Sequence, residues 1–252
     1  MRVCTLFFSI LGVFAMMAMH CSAEQGAARS EKTLAVYGVN LGKPPLEGKT
    51  SEEAAGFLGD LGVNAVFGGY DSAEFVAACR SRGITVYASL GIFVGENYWN
   101  SHPESHPVDA LGNPIEKVQW YAGVCPNQPW LRAEKLTAIA KKAEEGLADG
   151  VWLDFIRYPV HWEDGAPRPK QDETCFCPVC LAKFQKDTGL TFPEQIHSAS
   201  ETAEYLLTTR REEWFDWRAE QIAEFVKEAS ATLHRANPKA KLGLFCVPWQ
   251  PQ

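Results

Sequence analysis

The sequence predicts a parallel α/β fold of the (β/α)8, TIM-barrel type, and three observations carry that expectation. Short, nearly continuous apolar runs alternate with amphipathic stretches long enough to serve as crossover helices, which is the rhythm of βαβ units. The two longest irregular stretches each follow a strand, and in a barrel that is the end where sites are built. The turn after the first strand, Gly38-Val39-Asn40-Leu41-Gly42, lacks the glycine fingerprint that a dinucleotide-binding sheet carries there.

The elements follow in order. Arg2 and the uncharged apolar run Leu6–Met19, closed by Cys21-Ser22-Ala23, read as a signal peptide over 1–23, cleaved after Ala23. The run is shorter than the ~20 residues that a membrane-spanning helix takes. A lipoprotein reading would use Cys21, but His20 is ill suited to the position before a lipidated cysteine. Residues 24–252 form the barrel domain, and a secreted or periplasmic location is expected.

Leu34–Leu41 reads as the first strand, ended by the Pro44-Pro45 turn. Thr50 caps a helix with Glu53 as the second half of a capping box, and Gly62 stops it. Asn64–Phe67 is the second strand, Ser72 to about Arg82 the second helix, and Thr85–Phe93 the third strand. An aromatic-rich excursion then runs from Val94 to Asn127. A helix covers Pro129–Glu145, and Gly150–Ile156 is the fourth strand. After a second excursion, Arg157–Ser200, one long helix runs to Asn237, and Lys241–Val247 is the fifth strand. A closed barrel needs eight strands. With about five βα units here, the expectation is an incomplete, C-terminally truncated barrel, stopping where Cys246-Val247-Pro248-Trp249 enters a loop.

Composition excludes some partners. The 24 basic residues are outnumbered by 31 acidic ones, for a net charge of −7, which argues against an extended nucleic-acid footprint. Hydrophobic residues make up 46% of the chain, enough for a sizeable core without disulfides.

The fourth strand holds the most informative residue. Alternation along Gly150–Ile156 puts Trp152, Asp154 and Ile156 on one face, with the Asp154 charge in apolar surroundings near the strand's carboxyl end. Such a charge is costly unless it is paired or solvated in a cleft. Asp154 is therefore the candidate catalytic carboxylate, and Arg157 the candidate partner that orients it or binds a ligand oxygen. The competing reading is a structural Asp–Arg pair at the barrel end.

Five segments together resemble glycosidase-like barrel proteins distantly similar to α-fucosidase and β-galactosidase barrels. They are DGVWLDFIRYP (149–159), HPESHPVDALGNP (102–114), CPNQPWLR (125–132), CFCPVCLAKFQKDTG (175–189) and FDWR (215–218). The resemblance covers most of the chain from Leu34 to Trp249. It implies a (β/α)8 barrel, a carbohydrate ligand, and Asp154 where such barrels often place a catalytic carboxylate. Chitinase-type barrels carry DGxDxDxE on this strand, whereas Trp152 and Ile156 stand at two of those acidic positions here. A second carboxylate, which glycoside hydrolysis usually requires, would have to come from a loop (Glu96, Glu163 or Asp164) or from strands not in the sequence. The function expected is thus hydrolysis of O-glycosidic bonds in an oligo- or polysaccharide. The alternative is a non-catalytic carbohydrate-binding or scaffold barrel.

Asn40, Tyr70, Asp71, Glu96 and Asn97 end the first three strands and are candidate sugar contacts. Trp99, Trp120, Tyr158, Trp162 and Trp249 fall in the strand-end loops, where flat rings stack on pyranose C–H faces. His102 and His106 flank Pro103 and Pro107, which excludes a helical metal pair and leaves hydrogen bonding to substrate or to the loop scaffold. Cys125, Cys175, Cys177 and Cys180 either form disulfides, as export favours, or place four thiolates on a structural zinc, or remain reactive thiols. No cofactor is required for the glycosidase reading. Cys79 and Cys246 read as buried free thiols.

Overall fold

The computed structural model describes residues 32–69, 72–118, 121–159 and 173–245. The signal-peptide segment, Tyr70, Asp71, Trp120, Trp162, Glu163, Asp164, Cys246 and Trp249 lie outside the described residues.

Among the described residues five strands form one sheet: β1 (Ala35–Tyr37), β2 (Ala65–Phe67), β3 (Thr85–Gly91), β4 (Gly150–Asp154) and β5 (Lys241–Leu244). All neighbours are parallel and the spatial order is β1-β2-β3-β4-β5. Parallel crossovers are right-handed almost without exception. An order that never reverses therefore places every crossover helix on the same face, as in a barrel wall and unlike a doubly wound sheet.

The helices are α1 (Ser51–Asp60), α2 (Ala73–Ser81), α3 (Glu96–Ser101), α4 (Pro129–Glu145), α5 (Pro178–Thr188), α6 (Ala199–Thr209) and α7 (Arg211–Ala236). The predicted capping box opens α1, with Thr50 Oγ1 accepting from the Glu53 amide and the Glu53 carboxylate accepting from the Thr50 amide. Ser72 caps α2 in the same manner through the Phe75 amide.

Alternation sorts the sheet residues. Val36, Val66 and Val86 meet Ala54, Leu58, Phe75 and Cys79 of α1 and α2 in one core. Val151, Leu153, Leu242 and Leu244 meet Leu131 and Ile139 of α4 and Phe225, Ala229 and Leu233 of α7 in a second. A third core lies beneath the loops, where Phe176, Phe184, Leu206, Trp214 and Trp217 surround four cysteines.

Helices α3 and α5 lie within stretches expected to be irregular, and two further features differ from expectation. The single long helix after Ser200 is two helices, because Arg210 (φ −129°, ψ 30°) leaves the helical region after the weak helix formers Thr208 and Thr209. The bend lets Ala203 and Leu206 of α6 and Trp214 of α7 reach the same core. The strands are also shorter than the apolar runs. β1 and β2 are followed by Gly38 and Gly68, both left-handed (φ 70° and 71°), which turn the chain out of the sheet.

Candidate functional site

The sheet face opposite the helices is built from the alternate residues Tyr37, Phe67, Tyr87, Trp152 and Asp154. Phe67 and Trp152 stack with ring centroids 4.5 Å apart, Tyr87 meets Trp152 edge-on at 5.3 Å, and Tyr37 lies 5.1 Å from Phe67. The indole fits because Gly243 stands beside it on β5. A Cβ on Gly243 would come within 2.2 Å of Trp152 Cε3.

Asp154 follows Trp152 on this face, at the carboxyl end of β4 opposite Gly91. It is half-buried. Burial raises its pKa above the usual carboxylate value, partly offset by the Phe155 amide, which donates to Oδ1 at 2.8 Å, and by the Arg157 charge. Among the described residues, none of these influences is a second carboxylate.

Phe155 takes the left-handed conformation (φ 52°) in the place that glycines fill after β1 and β2. A side chain in that region costs on the order of 1–2 kcal/mol. Such strain persists where the surroundings over-determine it, and it clusters at functional sites. The turn breaks strand alternation, so Ile156 joins the helix-side core and not the Asp154 face, correcting the sequence-based assignment. Arg157 Nη1 donates to Tyr121 Oη at 3.2 Å, and its guanidinium lies 5.1 Å from that ring and 5.7 Å from Phe155. Arg157 and Tyr121 thus form a wall beside the carboxylate.

The other anticipated contacts are dispersed. Asn40 is exposed, and its Oδ1 accepts from the Gly42 amide in a tight turn. Glu96 opens α3 and pairs with Lys117. Asn97 lines a cleft of ≈ 430 Å³ with Gly95, Glu96, Tyr98 and Glu134. Trp99 stacks face to face on His106 at 3.6 Å, so one of its faces is occupied, while His102 stacks on Trp130 at 4.1 Å. Both histidines act as loop scaffold. Tyr158 requires a correction. It is 7% exposed, its hydroxyl accepts from Asn127 Nδ2, and the Arg218 guanidinium lies 4.7 Å from its ring. It packs the loop core and offers no face to a sugar.

A different cleft, ≈ 460 Å³, opens at the amino ends of the strands among Arg80, Thr85, Asp149, Lys239 and Lys241. Asp149 holds Arg80 Nε at 2.6 Å and the Val86 amide at 2.9 Å. Such a tie at this end of a barrel serves stability, not chemistry.

The four loop cysteines converge. Cys125, Cys175, Cys177 and Cys180 are buried, and their sulfurs all lie within 4.8 Å of one another, a group that could hold a metal ion. They are free thiols, with Cys125 Sγ 3.4 Å from Cys180 and 3.5 Å from Cys177. A disulfide needs about 2.05 Å, so the disulfide expectation is corrected. Cys79 is likewise a free, buried thiol, and burial and the Asp149 charge push it up to about 11.

No family model matches the sequence, and no curated protein matches it. Solved structures do. The β-galactosidase of the psychrophilic Marinomonas ef1 superposes with a TM-score of 0.59 at 14% identity, over 84% of this chain and 37% of that one. The β-galactosidase of Rahnella sp. R3 gives 0.54 at 12% identity, over 86% and 36%. The α-L-fucosidase isoenzyme 2 of Paenibacillus thiaminolyticus gives 0.53 at 13% identity, over 85% and 32%. The chain therefore has, at a distance, the barrel fold of glycosidases, and it spans about a third of the length of these proteins. At such identities the likeness is one of fold. Among the described residues no helix is long and apolar enough to cross a membrane.

Proposed function

We propose that this chain is an exported carbohydrate-active barrel in which Asp154 acts on an O-glycosidic bond of an oligo- or polysaccharide, as nucleophile or as acid/base. Arg157 orients the sugar from the Tyr121 wall. The observation that carries the reading is the position of Asp154: a half-buried carboxylate at the carboxyl end of a parallel strand, next to an aromatic layer and followed by a strained left-handed Phe155. Burial that raises a carboxyl pKa suits proton transfer to a leaving oxygen near neutral pH. The glycosidase folds to which the chain is similar support carbohydrate as the ligand class. Export rests on the apolar run Leu6–Met19 and the small residues before Glu24.

A second reading has its own observation. Among the described residues the influences on Asp154 include no partner carboxylate, and Glu96, one of the anticipated partners, is paired with Lys117. A barrel that binds glycan without cleaving it needs no such partner.

An aryl-glycoside panel with wild type and Asp154→Asn separates the two. The hydrolase reading expects turnover by the wild type, at least about 100-fold loss in Asp154→Asn as for removal of a general acid, and unchanged glycan affinity by calorimetry. Full turnover in Asp154→Asn would remove the residue from the mechanism. Glycan binding by a wild type that never turns over would establish the binding module.

A further inference from the structure

We propose that Cys125, Cys175, Cys177 and Cys180 bind one zinc ion as a closed structural site that clamps the two long strand-end excursions together. The proposal rests on the sulfur geometry and stands apart from the glycosidase reading, except that it supports the wall beside Asp154.

Four sulfurs about a zinc at about 2.3 Å stand roughly 3.8 Å apart in a tetrahedron. The 3.4 and 3.5 Å separations fall near that edge and far from a sulfur–sulfur bond, and the group lies within 4.8 Å overall. A single buried cysteine is an ordinary small hydrophobe. Four that converge on one point, from segments about fifty residues apart in sequence, are not explained by packing alone.

Two N–H donors and a helix N-terminus point at the sulfurs. The Val108 amide donates to Cys175 Sγ at 3.4 Å, and Asn127 Nδ2 donates to Cys180 Sγ at 3.3 Å. Such outer donors fix and tune metal ligands. Cys177 is the N-cap of α5 and Cys180 sits in its first turn, so the two ligands stand at the positive end of the helix. The C-x-x-C spacing of Cys177 and Cys180 matches a common half of structural zinc sites. On loading, four S–H bonds break, four Zn–S bonds form, and four protons leave to solvent. Four thiolates leave no open position, so the ion is structural.

The clamp has a consequence at the sheet. Cys125 ends a segment whose Val124 amide donates to Phe93 O at 2.9 Å and whose Ala122 O accepts from the Gly95 amide at 3.0 Å. Tyr121, which receives Arg157, lies in the same segment. Zinc thereby holds the Tyr121 wall against the end of β3.

The test uses the full chain, purified without metal-chelate resin. Elemental analysis should find about one zinc per chain. Titration with a mercurial should release that zinc into a chromogenic chelator as four thiolates are consumed. Cobalt(II) reloading should give the visible bands of tetrahedral thiolate coordination. Cys177→Ser should lower zinc content at least about tenfold. Should that variant fail to fold, chelator competition on the wild type reads the affinity directly. A folded, metal-free wild type whose cluster thiols react without a mercurial, or a cluster linked by disulfides in peptide mass analysis, overturns the proposal. Stoichiometric iron with charge-transfer absorption overturns the zinc assignment. None of these readouts involves glycan turnover, so failure here and failure of the Asp154 reading are distinguishable.

Discussion

Gly243→Ala offers a quantitative test of the aromatic layer. The added methyl would sit 2.2 Å from Trp152 Cε3, 2.6 Å from Cζ3 and 2.8 Å from Cδ2, below any tolerable carbon contact. Relief is not cheap, because the indole is a rigid plane stacked on Phe67 at 15° and met edge-on by Tyr87. Moving it strains the whole row. Overpacking of this kind costs about 1–3 kcal/mol, or roughly 2–12 °C in melting temperature for a domain of this size. Calorimetry and urea titration measure the loss. The diagnostic step is a double-mutant cycle. Trp152→Leu alone destabilises by lost burial, but in its presence Gly243→Ala should become nearly neutral, giving a coupling above the ~0.5 kcal/mol expected of independent sites. A cost of Gly243→Ala that persists unchanged without the indole would refute the assignment of the glycine to ring clearance.

Three further outcomes follow from the same structure. The Asp154 pKa is raised in the fold, so its favourable contribution is present below the ordinary value of 3.8 and is lost as pH rises through the folded value. Asp154→Asn should therefore be more stable than wild type at pH 7, with the gap closing towards pH 3 in urea titrations. Lys135 behaves oppositely. Its ammonium, buried and donating to Gly91 O at 2.7 Å, is lowered to about 8 from 10.5 by desolvation. Wild type should thus gain stability relative to Lys135→Met between about pH 8 and pH 10.5, and a flat difference across that window would contradict the burial. Thr50→Ala removes one half of the α1 capping box, and should cost about 1 kcal/mol, or roughly 2–4 °C in a thermal melt.

Much of the sheet was legible because parallel strands covered by helices must be apolar at nearly every position, and Val66, Val86 and Leu153 are. The Thr50–Glu53 box and the Pro129 start of α4 were equally local, so the chain wrote them in consecutive letters. What escaped was set by contacts distant in sequence. Helix α5 is the exception, for its Pro178 start and left-handed Gly189 stop are local signals within the stretch that the cysteines mark as a loop. Tyr158 looked like its aromatic neighbours, since nothing local reveals that Arg218, sixty residues on, covers it. The meeting of Cys125 with the Cys175–Cys180 triplet was foreseeable as a grouping, whereas bonded and non-bonded sulfurs share one spelling.

Helix α7 lends Trp214 and Trp217 to the loop core and Phe225, Ala229 and Leu233 to the core under the sheet. A rod shared by two hydrophobic masses joins their fates. Displacing α7 strips both at once. Amide exchange along the buried turns of α7 should accordingly proceed at the rate of global opening, and the loops with the sheet should make up one foldon and not two.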